Sequence, residues 1–213
     1  MRKKVGFYST LWVWILSSLV VGWPRPSAVP EKGRWTLDIT YEHPILIQVP
    51  SPQAGQPKRF WYMIFSVTNL SSEEEVPFYP KFELVTDTFQ ILSAGQGETF
   101  GLFEVVRARH RGQYPFLESL DFEDHRIRKG QDNRRDFVVF WPDFDEKAKE
   151  VRFYLAGLSN ETIAIEHPTL REQDRPVPVY LRKTLQLNYS IGADPQLRGQ
   201  ASLRFEGQDW VMR

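Results

Sequence analysis

Apolar side chains recur at every second position through much of the chain after residue 34, and this period of two limits the fold most. It is cleanest in the segment 183–191, KTLQLNYSI, where leucine, tyrosine and isoleucine alternate with polar residues. The segment 35–41, WTLDITY, repeats the pattern. Because successive side chains of a strand point to opposite faces, each segment is a strand with one buried face. The chain is therefore predicted to be mainly β.

A second kind of strand is apolar on both faces. Residues 59–69, RFWYMIFSVTN, have almost no polar positions, which is typical of a central strand buried on both sides. Residues 136–141 and 150–158 are further strands. Many short strands with turn signals between them predict an immunoglobulin-like β-sandwich. We expect it to form one domain over residues 35–213, after a linker at 29–34.

The strand pattern breaks between residues 93 and 130, where a short helical insertion is predicted at about 98–121. Phe100, Phe103 and Val106 lie three residues apart on one helix face. A second short helical turn is predicted at 114–120, where Pro115 would occupy its first position.

Two other segments are predicted to lack regular structure. Residues 70–80, LSSEEEVPFYP, have the composition of an exposed loop. Residues 171–180, REQDRPVPVY, are interpreted as a linker because Pro176 and Pro178 interrupt any strand ladder.

The N-terminus has the pattern of an export signal. Three basic residues at positions 2–4 precede a largely apolar stretch at 5–23, and Pro24 follows it. Residues 1–28 are therefore a signal peptide or, if uncleaved, an N-terminal membrane anchor, since the stretch is just long enough to span a bilayer. Both alternatives place the domain outside the cytoplasmic membrane, in the periplasm or the cell envelope.

Composition excludes several classes of function. The chain has no cysteine, so it has neither disulfides nor thiolate metal sites. Residues 1–28 contain four basic residues and no acidic ones, which leaves 23 basic against 27 acidic residues and a net charge of −4. A mildly acidic domain has no electrostatic attraction to nucleic acid.

The acidic stretch 141–150, WPDFDEKAKE, is the main candidate metal site. Asp143 and Asp145 have the spacing with which a calcium loop begins, and Glu146 follows. The calcium-loop pattern then fails, because Lys147 and Ala148 stand where a ligand and a glycine are needed. The stretch is better interpreted as a solvated connection between two strands, with Phe144 packed on the core.

Catalytic motifs are weak. His43, His110, His125 and His167 have none of the spacings that bring two metal ligands to one face of a strand or helix. Neither a serine-hydrolase elbow nor a phosphate-binding glycine loop is present. We assign no catalytic residue and no cofactor. Convergence of Asp136, Asp143, Asp145, Glu146 and the histidines in one pocket would favour a hydrolase.

Aromatic residues form 14% of the chain, which raises the alternative of carbohydrate binding. Trp35, Trp61, Trp141 and Trp210 all fall in strand patterns, and core packing is their favoured role. An exposed, coplanar pair among Trp61, Trp141 and Tyr62 would indicate a sugar platform.

Three stretches in order also resemble a known family. They are residues 59–88, residues 130–162 with a W-P-x-x-D turn and a strand ending in G-L-S-N, and residues 181–194 followed by DWVMR. They resemble an uncharacterised family of exported β-rich proteins from planctomycete-type bacteria. The resemblance implies export and a β-rich domain, and it supplies no activity or catalytic residue. The chain has "IGAD" where the family would have a proline-glycine-aspartate turn.

The sequence thus favours a non-enzymatic binding or structural module of the cell envelope, whose partner is an envelope protein or a glycan. Membrane association would run through residues 5–23 if the leader is uncleaved. The alternatives are an extracytoplasmic metal- or carboxylate-dependent hydrolase and a carbohydrate-binding module.

Overall fold

A computed structural model describes residues 33–50, 57–96, 101–172, 174–192 and 201–213. The predicted leader at 1–28 and most of the predicted linker at 29–34 lie outside these ranges. Within them, no helix has the length and apolar character needed to cross a membrane.

Strands dominate the described residues, and the prediction of a mainly β chain is confirmed. In chain order the strands are β1 (Asp38–Tyr41), β2 (Ile45–Val49), β3 (Lys58–Thr68), β4 (Glu75–Pro77), β5 (Lys81–Thr86), β6 (Ile91–Ser93), β7 (Glu118–Ser119), β8 (Arg126–Arg128), β9 (Arg135–Pro142), β10 (Glu150–Ala156), β11 (Thr162–Glu172), β12 (Arg175–Ile191) and β13 (Leu203–Met212). One α-helix, α1 (Leu102–His110), and a single 3-10 turn (Gln131–Asn133) accompany them.

The strands form two main sheets and one small ribbon. In the first sheet, β1 and β2 pair with successive halves of β3, which pairs with β9, and β7 adds to β9 in parallel. In the second sheet the order is β6, β5, β10 and β12, and β11 and β13 each pair with β12. The ribbon joins β4 to β8.

Strand β3 shows how the core is layered. Trp61, Met63 and Phe65 lie in the cluster that also contains the inward residues of the second sheet. Tyr62 and Ile64 point the other way, into a second cluster that contains buried residues of α1. Both faces of β3 are therefore buried, which confirms the prediction of a central strand.

Residues 98–100 of the predicted helical insertion lie outside the described ranges, and in the remainder the helix covers only Leu102–His110. The prediction of a second helical turn at 114–120 is wrong. Glu118–Ser119 forms strand β7, which pairs with Phe137 and Val138 of β9. Arg135 binds the Glu118 carboxylate through Nε at 2.9 Å. A helix of only seven residues forms too few hydrogen bonds to offset the free-energy cost of nucleating it. Pairing with the sheet edge and the ion pair with Arg135 therefore determine the conformation of residues 114–120.

Two segments predicted to be irregular also contain strands. Val76 and Phe78, in the predicted exposed loop, are fully buried, and Val76 lies in β4. The predicted linker at 171–180 instead contributes the end of β11 and the start of β12, which form a hairpin. Pro176 and Pro178 are tolerated because their nitrogens lie on the edge of the hairpin that faces away from β11, where no N–H is needed for pairing.

Candidate binding site

Asp143 of the acidic stretch ties the end of β9 to β3. Its Oδ1 accepts hydrogen bonds from the indole Nε1 of Trp61 at 2.9 Å and from the backbone N–H of Phe144 at 3.1 Å. Its Oδ2 lies 2.8 Å from Nε of Arg59, and only 11% of the Asp143 side chain is exposed. Phe144 is buried, as the sequence predicts, and its ring stacks on Trp61. This carboxylate therefore has a structural role in the turn.

The other two candidate ligands of the stretch, Asp145 and Glu146, bind only protein groups, and Glu146 shares Arg59 with Asp143. Asp145 Oδ1 accepts a hydrogen bond from the backbone N–H of Lys147 at 3.0 Å. Glu146, mostly exposed, pairs with Arg59 at 3.1 Å. Within the described ranges, no three histidine, aspartate or glutamate side chains come together as a metal site.

The remaining candidate acid and the histidines are spread over the molecule. Asp136 accepts a hydrogen bond from Ser66 at 2.6 Å. His43 bonds the hydroxyl of Tyr189, and His110 bonds that of Tyr62, both at 3.0 Å. His125 packs against two aromatic rings, and His167 lies in β11. The geometry that would favour a hydrolase is not found among these residues.

The four described tryptophans divide into two pairs. Trp61 and Trp141 have no exposed surface and Tyr62 has 1%, so these rings are closed to a ligand and the predicted core role is confirmed for both tryptophans. Trp35 is only half-buried, and Trp210 is 40% exposed. A tryptophan platform on the described surface must therefore use the second pair.

Trp35 and Trp210 line one groove of about 750 Å³. It lies between β1, at the edge of the first sheet, and β13, at the edge of the second. The buried side chains of Leu37 and Leu185 contribute to its lining, so the core forms part of its wall. A volume of this size is within the range of small-molecule sites.

Strand alternation brings the lining residues to the groove. In the segment 35–41 the odd-numbered side chains, including Trp35, Ile39 and Tyr41, share the face that packs toward the core, as the sequence predicts. On β13, Trp210 stands opposite the core residue Leu185, so it shares that inward face. No local pattern in the sequence indicates that these two edges are adjacent.

Polar contacts join the two sheets beside the groove. The Tyr41 hydroxyl donates a hydrogen bond to Oε1 of Gln208. Glu161 accepts hydrogen bonds from Thr36 at 3.1 Å and from Lys183 at 2.5 Å. The Lys183 bond holds the pKa of the Glu161 carboxyl below its usual value, whereas burial raises the pKa of Tyr41.

The charges of the groove nearly cancel. Its charged lining residues are Arg34, Asp38 and Glu161, and the last is neutralised by Lys183. The Lys183 ammonium also lies over the Trp210 ring, 5.3 Å from its centre, and this cation–π contact covers one face of the indole. A surface with paired charges and two indoles suits a neutral ligand that offers both apolar and hydroxyl faces.

The turn after β10 holds the Trp35 segment in place. Leu37 N–H donates to the Leu158 carbonyl at 2.7 Å, and Trp35 N–H donates to Oδ1 of Asn160 at 2.9 Å. Asn160 Nδ2 in turn donates to the Gly33 carbonyl at 2.6 Å. The G-L-S-N string of the sequence therefore anchors one wall of the groove.

Comparison with known proteins adds no relative: the sequence matches no family model, and neither a curated protein nor a solved structure is significantly similar to it.

Proposed function

We propose that this chain is an exported, non-enzymatic binding module of the cell envelope that holds a neutral glycan in the groove between β1 and β13. The observation that carries the proposal is the pair Trp35 and Trp210, which are the two described tryptophans with exposed surface and which line one groove. The export signal predicted from the sequence of residues 1–28 supports the location.

The architecture that we propose for this module is an immunoglobulin-like β-sandwich. Two largely antiparallel sheets with a shared core between them support it. Helix α1 covers the outer face of the first sheet, through Leu102 and Val106.

The chemistry of the groove favours a sugar. One face of a sugar ring is lined by C–H groups, which pack on an indole, and its rim carries hydroxyls. Gln208, Asp38 and Ser71 line the same groove and can accept or donate hydrogen bonds to such hydroxyls. The groove gives a charged ligand no electrostatic advantage over a neutral one, because the lining charges nearly cancel.

The test is binding of the full chain to neutral polysaccharides, measured by affinity electrophoresis and isothermal titration. Trp210→Ala is expected to weaken binding at least about tenfold, since it removes the more exposed indole. Tyr180→Ala is the matched control: Tyr180 is 67% exposed but lies on β12 outside the groove, and its removal should leave affinity unchanged. Equal affinity of Trp210→Ala and the unaltered chain, or no binding to any neutral glycan, would overturn the proposal.

A further inference from the structure

A two-stranded arm extends from the second sheet. It consists of β11 and the first half of β12, residues 175–182. Within β11 every described side chain is exposed except the half-buried His167, and neither core cluster contains a residue of the arm. Because an isolated pair of strands is only marginally stable in water, the arm gains stability if another strand joins it.

Among the described residues, β11 pairs only with β12, so the backbone of β11 has one free edge there. Lys183 N–H donates to the Glu161 carbonyl at 2.9 Å, and the pairing of residues 162–166 with β12 continues in the same register. Backbone groups alternate in direction along a strand, so the odd-numbered residues of β11 face β12. The N–H and C=O groups of Thr162, Ala164 and Glu166 therefore point outward.

The other edge of the arm is blocked. Arg182 exchanges backbone hydrogen bonds with Arg213, beyond the end of β13, so the even-numbered residues of β12 face away from β11. In the arm those positions include Pro176 and Pro178, which have no N–H to donate. Proline on an edge is a common protection against strand pairing, and here it protects one edge and leaves the other open.

The open edge has two clear limits. At one end Asn160 is bonded to the backbone of Trp35 and Gly33. At the other end Pro168 lacks an N–H and begins an irregular stretch of the β11–β12 pairing. Ala164 lies midway between Asn160 and Pro168, so the open stretch is symmetric about it.

We infer that a second copy of this chain pairs with the open edge, antiparallel, with the two-fold axis at Ala164. In that register Ile163 of one copy stands opposite Ile165 of the other, and Thr162 stands opposite Glu166. Apolar residues thus meet apolar residues on one face, and a hydroxyl meets a carboxylate on the other face.

The exposed apolar face of the arm favours a second copy of this chain as the partner, because the second copy presents the same apolar face. Ile163 is 45% and Ile165 43% exposed. Leu181 and Val179 lie directly opposite them on β12, so all four form one apolar face. Pairing through the two-fold axis places the two isoleucines of each copy beside those of the other and removes part of their surface from water.

The first test is the mass of the full chain in solution, by light scattering at micromolar concentration. We expect twice the monomer mass for the unaltered chain and a single monomer mass for Ala164→Pro, which removes an outward N–H without touching the bonds to β12. Tyr180→Pro is the control, since Tyr180 pairs with Ala164 but its N–H points to the blocked edge; it should stay dimeric. A monomeric unaltered chain, or a dimeric Ala164→Pro, would overturn the inference.

A second test does not depend on how proline affects folding. The chain has no cysteine, so a single introduced thiol can form only an intermolecular disulfide. Residues that face each other across an antiparallel pair have Cα atoms about 5.5 Å apart, within the range of a disulfide. Ala164→Cys should be cross-linked by mild oxidation and Tyr180→Cys should not. Equal cross-linking of the two variants would contradict a two-fold axis at Ala164.

Discussion

Replacing Asp143 by alanine distinguishes most clearly between two roles of this carboxylate, as a structural element of the turn and as a ligand of an ion. The substitution removes the acceptor for the Trp61 indole and the Phe144 amide, and it leaves Arg59 without its nearest carboxylate. Trp61 has no exposed surface, so water cannot replace the lost acceptor without rearrangement.

The expected loss of stability follows from these three contacts. A buried donor left unsatisfied costs about 1–3 kcal/mol, and an ordinary hydrogen bond contributes about 1 kcal/mol. The pair with Arg59, whose side chain is 28% exposed, adds under about 1 kcal/mol because solvent screens it. We therefore expect Asp143→Ala to lower the free energy of unfolding by about 2–4 kcal/mol, or the melting temperature by about 5–12 °C.

Urea unfolding followed by circular dichroism measures this loss, and two variants serve as controls. Asp143→Asn keeps a side-chain oxygen for Trp61 and loses only the charge, so it should cost under about 1.5 kcal/mol. Glu146→Ala removes an exposed partner of Arg59 and should stay within about 0.5 kcal/mol of the unaltered chain.

Two outcomes would refute the reasoning. One is a stability of Asp143→Ala within about 0.5 kcal/mol of the unaltered chain, which would mean that the contacts around Trp61 contribute little. The other is a stoichiometric calcium ion that is lost in the double variant Asp143→Ala, Asp145→Ala. We expect that double variant to leave the metal content unchanged.

Two further predictions concern the body of the fold. Gly157→Ala should lower the free energy of unfolding by more than about 3 kcal/mol, because φ of Gly157 is +92° and a Cβ would lie 2.4 Å from the Tyr79 carbonyl oxygen. The control Gly95→Ala, at φ +76° in open space, should lower it by only about 1–2 kcal/mol. Equal losses of stability in urea titrations of the two variants would contradict the clash at Gly157. Burial, together with the hydrogen bond that it donates to Glu42, raises the pKa of Tyr114 to about 12. The stability contributed by the neutral phenol of Tyr114 is therefore complete below the unfolded pKa of about 10 and is lost as the pH rises toward 12. In an ultraviolet titration, Tyr114→Phe should lack one tyrosine that ionises near pH 12 in the unaltered chain.

The local features of the fold were predictable because they depend on neighbouring residues. Alternation in the segment 183–191 predicts the inward face of β12, and the continuous apolar run of β3 predicts burial on both sides. The turn after Trp141, with Phe144 packed inward, also follows from residues that are close in sequence. These patterns are the direct consequence of side chains alternating along a strand.

The features that the sequence did not predict depend on distant contacts. Tyr41 and Gln208, which join the two sheets beside the groove, are 167 positions apart. Pro176 and Pro178 suggest a linker when taken alone, and only the pairing with β11 shows that their nitrogens occupy an edge that needs no donor. Phe78 follows an acidic loop, yet the fold buries it against Phe122 and Phe137.

The most direct test of the proposed glycan site is fluorine NMR of the full chain labelled with 5-fluorotryptophan and titrated with a neutral oligosaccharide. The Trp210 resonance can be assigned by its absence in Trp210→Phe. We predict that this resonance shifts with saturation while those of the buried Trp61 and Trp141 do not. A saturable titration that leaves Trp210 unchanged, or no saturable shift with any neutral oligosaccharide, would contradict the account.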